Sequence, residues 1–260
     1  MRVTSVNNYF TILNRRNKGN VNLSTQNPTF SARIDRDVFE NVLIPTMNES
    51  KKESKMLDVT ETQLFNLFRA YHTMGILSEL QLTPDKNGNL PMHNATLEYM
   101  KAVHAVLKDS PEVLAKIHLT KNNNESLPMH NIDSLEKLQE IHQALKDQPK
   151  VIAKIHLTPL DDGYLFITHA SLEQVKEIHK AFKNQPETIA KIHMYKNRSG
   201  YLPINSVLNK HIRNEYRNAI AEVALNSDLD IETSIKLLTT YNESGCYTEA
   251  IEELIKQLSF

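Results

Sequence analysis

Six residues recur almost unchanged three times in this chain, and their spacing limits the possible folds more than any other feature. Ala115-Lys116-Ile117-His118-Leu119-Thr120 returns as Ala153-Lys154-Ile155-His156-Leu157-Thr158 and again as Ala190-Lys191-Ile192-His193-Met194-Tyr195, at steps of 38 and 37 residues. Pro111, Pro149 and Pro186 keep the same steps, as do His104, His142 and His179. A period between 20 and 50 residues marks stacked supersecondary units, none of which buries its apolar face alone. A weaker copy at residues 76–83 stands 37 residues ahead of the first clear one and reads as a degenerate opening unit.

Within each unit the apolar residues follow a helical stripe, as in Leu135, Leu138, Ile141, His142 and Leu145, or Leu172, Val175, Ile178, His179 and Phe182. Ser171 with Gln174, and Asp133 with Glu136, have the spacing of a capping box, which predicts where this first helix starts. It should stop before Ser110-Pro111, Gln148-Pro149 and Gln185-Pro186. Proline disfavours helical geometry in the residue before it, yet suits the first turn of a following helix. A short second helix then carries Val151, Ile152, Ile155 and their counterparts, and a polar loop leads to the next unit.

The loops carry a family resemblance. Asp85-Lys86-Asn87-Gly88-Asn89-Leu90-Pro91-Met92-His93 resembles the ankyrin signature of aspartate, a glycine turn and threonine-proline-leucine-histidine, with leucine in place of threonine. Leu127-Pro128-Met129-His130 keeps the end of the motif but has Glu125 at the glycine position. Gly163 begins a copy without the proline and histidine, and Gly200 a copy that keeps Pro203. The resemblance implies that the proline opens the first helix and that His93 and His130 tie each turn to its neighbours, with Thr168 and Asn205 as polar substitutes. The period exceeds the usual 33 residues by four or five, which implies a longer first helix and a shorter second one. The expected fold is all-α: an ankyrin-like helical-hairpin solenoid with helical caps and a flexible N-terminal tail.

The flanks complete the organisation. Residues 1–34 hold five basic side chains and no acidic one amid many Asn, Ser and Thr, so they bury little. The stretch is similar in style to the uncleaved export leaders of bacterial effectors. The amphipathic segment 38–44 and the charged linker 50–55 precede Thr60 and Gln63, a further capping-box pair for the helix that should seal the front. The expected division is a tail over 1–55, the array over 56–205 and a C-terminal helical cap over 206–260. In that cap the segment 245–251 resembles the turn of a tetratricopeptide repeat.

Composition narrows the function. Thirty basic against 31 acidic residues leave a formal charge of -1, which favours neither nucleic acid nor an anionic membrane. No run approaches the 18 apolar residues of a membrane span. The eleven histidines fall mainly in two rows, one residue per unit, which is a packing pattern; no paired metal-ligand spacing accompanies them. Cys246 stands alone, without a disulfide partner, and no phosphate loop or nucleophile elbow occurs. The expectation is therefore a monomeric, cytoplasmic protein-binding scaffold without catalysis, metal or cofactor; the alternative is a secreted effector that docks on a host protein. The variable turn residues are the expected partner contacts: Lys86, Asn87 and Asn89; Lys121, Asn123 and Glu125; Asp161 and Asp162; Lys196 and Arg198.

Overall fold

The computed structural model of the chain describes residues 61–206, 210–226, 228–242, 245 and 247–258. The tail, the segment 38–44, the linker 50–55, Thr60 and Cys246 lie outside the described residues. Eleven α-helices and no strand occur among them: α1 (Glu61–Thr73), α2 (Leu77–Gln81), α3 (Leu97–Leu107), α4 (Pro111–Leu119), α5 (Leu135–Ala144), α6 (Pro149–His156), α7 (Leu172–Ala181), α8 (Pro186–Met194), α9 (Lys210–Asn226), α10 (Ile231–Tyr241) and α11 (Thr248–Leu258).

Proline placement behaves as the sequence predicts at one end of each unit. The first helices α3, α5 and α7 end before the proline, and α4, α6 and α8 each begin on it. The first helices start at side-chain caps: Thr96 Oγ1 accepts from Tyr99 N at 3.3 Å, and Ser134 Oγ from Lys137 N at 3.3 Å. Ser171 forms the reciprocal box, its Oγ accepting from Gln174 N at 3.2 Å while Gln174 Oε1 accepts from Ser171 N at 2.8 Å. Each cap contributes about 1 kcal/mol by satisfying an amide the helix leaves unpaired. At the second unit the cap is Ser134 and not Asp133, which instead pairs with Lys137 Nζ at 3.1 Å.

Two expectations drawn from the resemblance need correction. The loop proline does not open the first α-helix. Pro91–Asn94, Pro128–Asn131, Phe166–His169 and Pro203–Ser206 form separate one-turn 3-10 helices. Each of the first three is closed by an extended residue, such as Ala95 at ψ 139°, before the α-helix begins. The residues beyond a 33-residue period therefore go into this turn and its connector. The first helices span only 10 or 11 residues and the second helices 8 or 9.

Packing joins the units. α3 packs on α5, α5 on α7 and α7 on α9, while α4 packs on α6 and α8 on α10; the first 3-10 turn touches the second, and the third touches the fourth. One apolar core runs from Leu64 to Tyr241 through Val103, Ile117, Leu138, Ile155, Ile178 and Phe182. The front is sealed by α1, where Phe68 meets Tyr99 edge to face at 4.9 Å. Gln81, 37 residues before His118, occupies the degenerate unit's equivalent place; it is fully buried and donates from Nε2 to the Tyr99 hydroxyl at 2.7 Å. At the other end the sequence repeat stops, yet the packing continues into α9 and α10. These carry Tyr216 and Tyr241 onto His193.

Candidate functional site

Two sets of side chains recur with the period: the turn row and the histidine rows. In the first turn the Asp85 carboxylate accepts the amides of Asn87 and Asn89, both at 2.8 Å, and Gly88 closes the turn at φ +77°. Asn122 Oδ1 does the same for Asn124 and Ser126, at 2.9 and 3.0 Å, and Asn197 Oδ1 for Ser199 and Tyr201, both at 2.9 Å. The third turn has Leu160 at this position, and Asp162 Oδ1 accepts from Tyr164 N at 3.0 Å instead. These local bonds fix each turn without help from a partner. Glu125 stands where the other turns have glycine and is the one described non-glycine residue in the left-handed region, at φ +58°.

Adjacent turns interlock. Asn123 N donates to the Asn87 carbonyl at 3.1 Å, and Asn122 Nδ2 to Asn89 Oδ1 at 2.8 Å. A Cβ on Gly88 would lie 2.5 Å from Asn123 Oδ1, and one on Gly163 would lie 2.8 Å from Arg198 Cγ, so absence of a side chain is what lets these turns approach. Three of the four turns are also pinned to their own 3-10 helix by a side chain. His93 Nδ1 accepts from Leu90 N at 3.0 Å and its Nε2–H donates to the Ser126 carbonyl at 3.0 Å. His130 accepts from Leu127 N at 3.0 Å and donates to the Thr158 carbonyl at 3.1 Å. Asn205 Oδ1 takes the same acceptor place for Leu202 N at 2.8 Å.

The ten turn residues singled out from sequence divide accordingly. Asn89 is half-buried and, with Asn123, whose Nδ2 donates to the Lys86 carbonyl at 3.4 Å, holds the row together. Lys121 pairs with Glu125 at 2.7 Å, and Arg198 with Asp161 of the preceding turn at 3.6 Å. Lys86, Asn87 and Lys196 are exposed, with no side-chain bond among the described residues, and Asp162 is exposed beside them. Sequence reasoning missed the tyrosines. Tyr164 and Tyr201 share one repeat position, 37 residues apart, and Tyr201 is 58% exposed, the highest value among the exposed large hydrophobic residues. The signal was a tyrosine following glycine in two consecutive turns.

The histidine rows are closer than a packing pattern requires. His104 faces His118, His142 faces His156 and His179 faces His193, with Nε2 to Nε2 distances of 3.0, 2.9 and 2.7 Å. Every pair joins residue i to residue i+14, so a constant spacing across the two helices of a unit was the available clue. The next unit adds a carboxylate to the first two pairs: Glu140 Oε1 lies 2.8 Å from His104 Nδ1, and Glu177 Oε1 lies 3.3 Å from His142 Nδ1.

The network links the protons of each pair: a His104 ring with one proton, at Nδ1 toward Glu140, accepts at Nε2, and His118 then donates from Nε2 and keeps a bare Nδ1 lone pair. That nitrogen is buried without a partner, as is its counterpart on His156. In the third pair the corresponding nitrogen, His193 Nδ1, has a partner, the Tyr216 hydroxyl at 3.1 Å. Burial holds His118, His156 and His193 well below the usual histidine range, and His179 at about 4. His142 is lowered by burial in spite of Glu177. The facing nitrogens are already bonded to each other, and among the described residues no group of three or more His, Cys, Asp or Glu is placed to hold a metal ion.

A cleft of about 280 Å³ opens between the first two 3-10 turns, lined by Met92, His93, Met100, Asn131, Asp133 and Lys137. It lies just under the size of ordinary small-molecule pockets. No helix among the described residues is long and apolar enough to cross a membrane. Comparison with protein-family models, with curated proteins and with solved structures finds no match to this chain, and none assigns its repeats to a family.

Proposed function

We propose that the chain is an ankyrin-like scaffold that captures a protein partner along its row of turn tips and the adjoining first-helix surfaces. The observation that carries this reading is the division of labour within the turns. Backbone and Asx bonds satisfy each turn internally, while the side chains of Lys86, Asn87, Lys196 and Tyr201 are exposed without being needed for that geometry. A prefixed row of exposed side chains of both charges loses little conformational freedom on binding, which favours capture of a mixed-charge protein surface. The near-neutral composition supports a protein ligand over nucleic acid or membrane. The scaffold works as a monomer, without catalysis, metal or cofactor, in the cytoplasm.

Replacing Lys86, Asn87, Asp161, Asp162, Lys196 and Arg198 together by alanine tests the site. The affinity-purified partner set of the full chain should be lost in this variant and kept when Lys108, Lys146 and Lys183, exposed at the opposite helix-helix turns, are replaced instead. Retention by the turn variant would refute the placement. The basic N-terminal stretch favours a second reading, export as an effector that docks on a host protein. A reporter fused to residues 1–50 should then be exported, and a reporter retained by the cell would refute it.

A further inference from the structure

His93 and His130 serve their turns through an unprotonated nitrogen. Each Nδ1 accepts a backbone amide, from Leu90 and Leu127, while Nε2–H donates to a carbonyl of the following unit. A second proton would turn Nδ1 into a donor facing a donor. The amide bond is then lost, and the turn must open or the proton must leave. The other two turns are built differently. At the equivalent positions stand Thr168, which does not titrate, and Asn205, whose Oδ1 accepts Leu202 N in the same way as the histidine nitrogens.

We propose that the first two turns of the row are acid-released, each by protonation of its own histidine, while the last two are not. The surroundings set the range. Asp85 faces His93 and favours its protonation; burial opposes it, and His118 and His130 lie within electrostatic reach. Lys121 and His93 oppose protonation of His130, Asp162 favours it, and His156 is its further titratable neighbour. Burial is the largest influence on both rings and brings His130 to about 4. Opening of the first turn also loosens its junction with the second, because the bonds of Asn123 to Asn87 and of Asn122 to Asn89 depend on a closed first turn. Under the docking function proposed above, Lys86, Asn87, Lys121 and Glu125 would leave the partner face at acid pH. That consequence rests on the docking reading; the titration does not.

Nuclear magnetic resonance on the full chain distinguishes the two. At pH 7.5 both rings should show the Nε2–H tautomer. Amide-exchange protection of Leu90 and Leu127, corrected for intrinsic rates, should fall by up to about tenfold per pH unit below about 6.5, while Leu202 holds its protection. His93→Asn and His130→Asn, which install the acceptor found at Asn205, should flatten the dependence at their own turns. An Nδ1–H tautomer, equal acid losses at Leu90, Leu127 and Leu202, or asparagine variants that lose protection as the wild type does would each overturn the proposal. None of these readouts involves a partner, so a failed docking experiment leaves the result standing.

Discussion

Alanine in place of glycine at three equivalent turns separates the cost of backbone conformation from the cost of turn-to-turn contact. Gly88, Gly163 and Gly200 have φ values of +77°, +84° and +82°, so a Cβ meets nearly the same local strain in each. That strain is about 1–2 kcal/mol, reduced by about 0.4–1 kcal/mol because alanine restricts the unfolded chain. Gly200→Ala meets no atom within 4 Å and should cost only this difference, roughly 0.5–1 kcal/mol. At Gly88 the new Cβ falls 2.5 Å from Asn123 Oδ1 and 2.8 Å from Asn123 N, a backbone atom that is bonded to the Asn87 carbonyl and has little room to retreat. Overpacking of this kind adds about 1–3 kcal/mol. Gly163→Ala should fall between, since its nearest neighbour at 2.8 Å is the flexible Arg198 side chain, with Arg198 N at 3.0 Å. In thermal unfolding at neutral pH, with about 2–4 °C per kcal/mol for a chain of this size, the expected order of loss is Gly88, then Gly163, then Gly200. Equal losses at Gly88 and Gly200 would show that the turns do not touch, and the reasoning would fail.

Other consequences are smaller or broader. Glu125→Gly relieves a left-handed non-glycine residue, with loss of the exposed Lys121 pair and of chain restriction in the unfolded state, and should stabilise the protein by about 0–1 kcal/mol in urea titrations. Ser134→Ala should cost about 1 kcal/mol and Asp133→Ala less than about 0.5 kcal/mol, because the hydroxyl and not the carboxylate caps α5. Acid should destabilise the array as a whole. A histidine with a depressed folded value takes up its proton on unfolding, so its contribution is complete above about pH 6.5 and is lost as pH falls below that. His118, His156 and His193, fully buried and held by that burial well below the ordinary histidine value, carry most of this loss. Urea midpoints compared at pH 7.5 and 5.5 read this loss, and an unchanged or higher midpoint at pH 5.5 would contradict the burial of His118, His156 and His193 in the neutral form.

What could be read from sequence is the part that local rules decide. The proline stops, the Ser171 box and the buried stripe of Leu138, Ile141 and Leu145 follow from capping and periodicity, and all appear in the structure. The 3-10 turns were missed because Pro91 and Pro128 suit an α-helix start equally well. What ends the turn is an extended residue, Ala95 or Ile132, followed by a second capping position. The partition of the candidate turn residues was hidden for another reason. Asn89 and Lys86 look alike as polar loop residues, and only the position of Asn122 and Asn123 in the next turn makes one structural and leaves the other exposed. The histidine pairs needed the two helices of a unit to be folded together, and their carboxylates, Glu140 and Glu177, come from the unit after.

Site-specific photo-crosslinking tests the docking reading most directly. A photoreactive residue placed singly at Lys86, Asn87, Asp162, Lys196 or Tyr201 of the full chain, and at Lys108, Lys146 or Lys183 as the opposite edge, is irradiated in cells and the adducts are identified. The turn positions should yield the same protein adduct at several consecutive turns, and the opposite edge should yield none of it. Adducts confined to the opposite edge, or the same adducts from both edges, would contradict a partner seated along the turns.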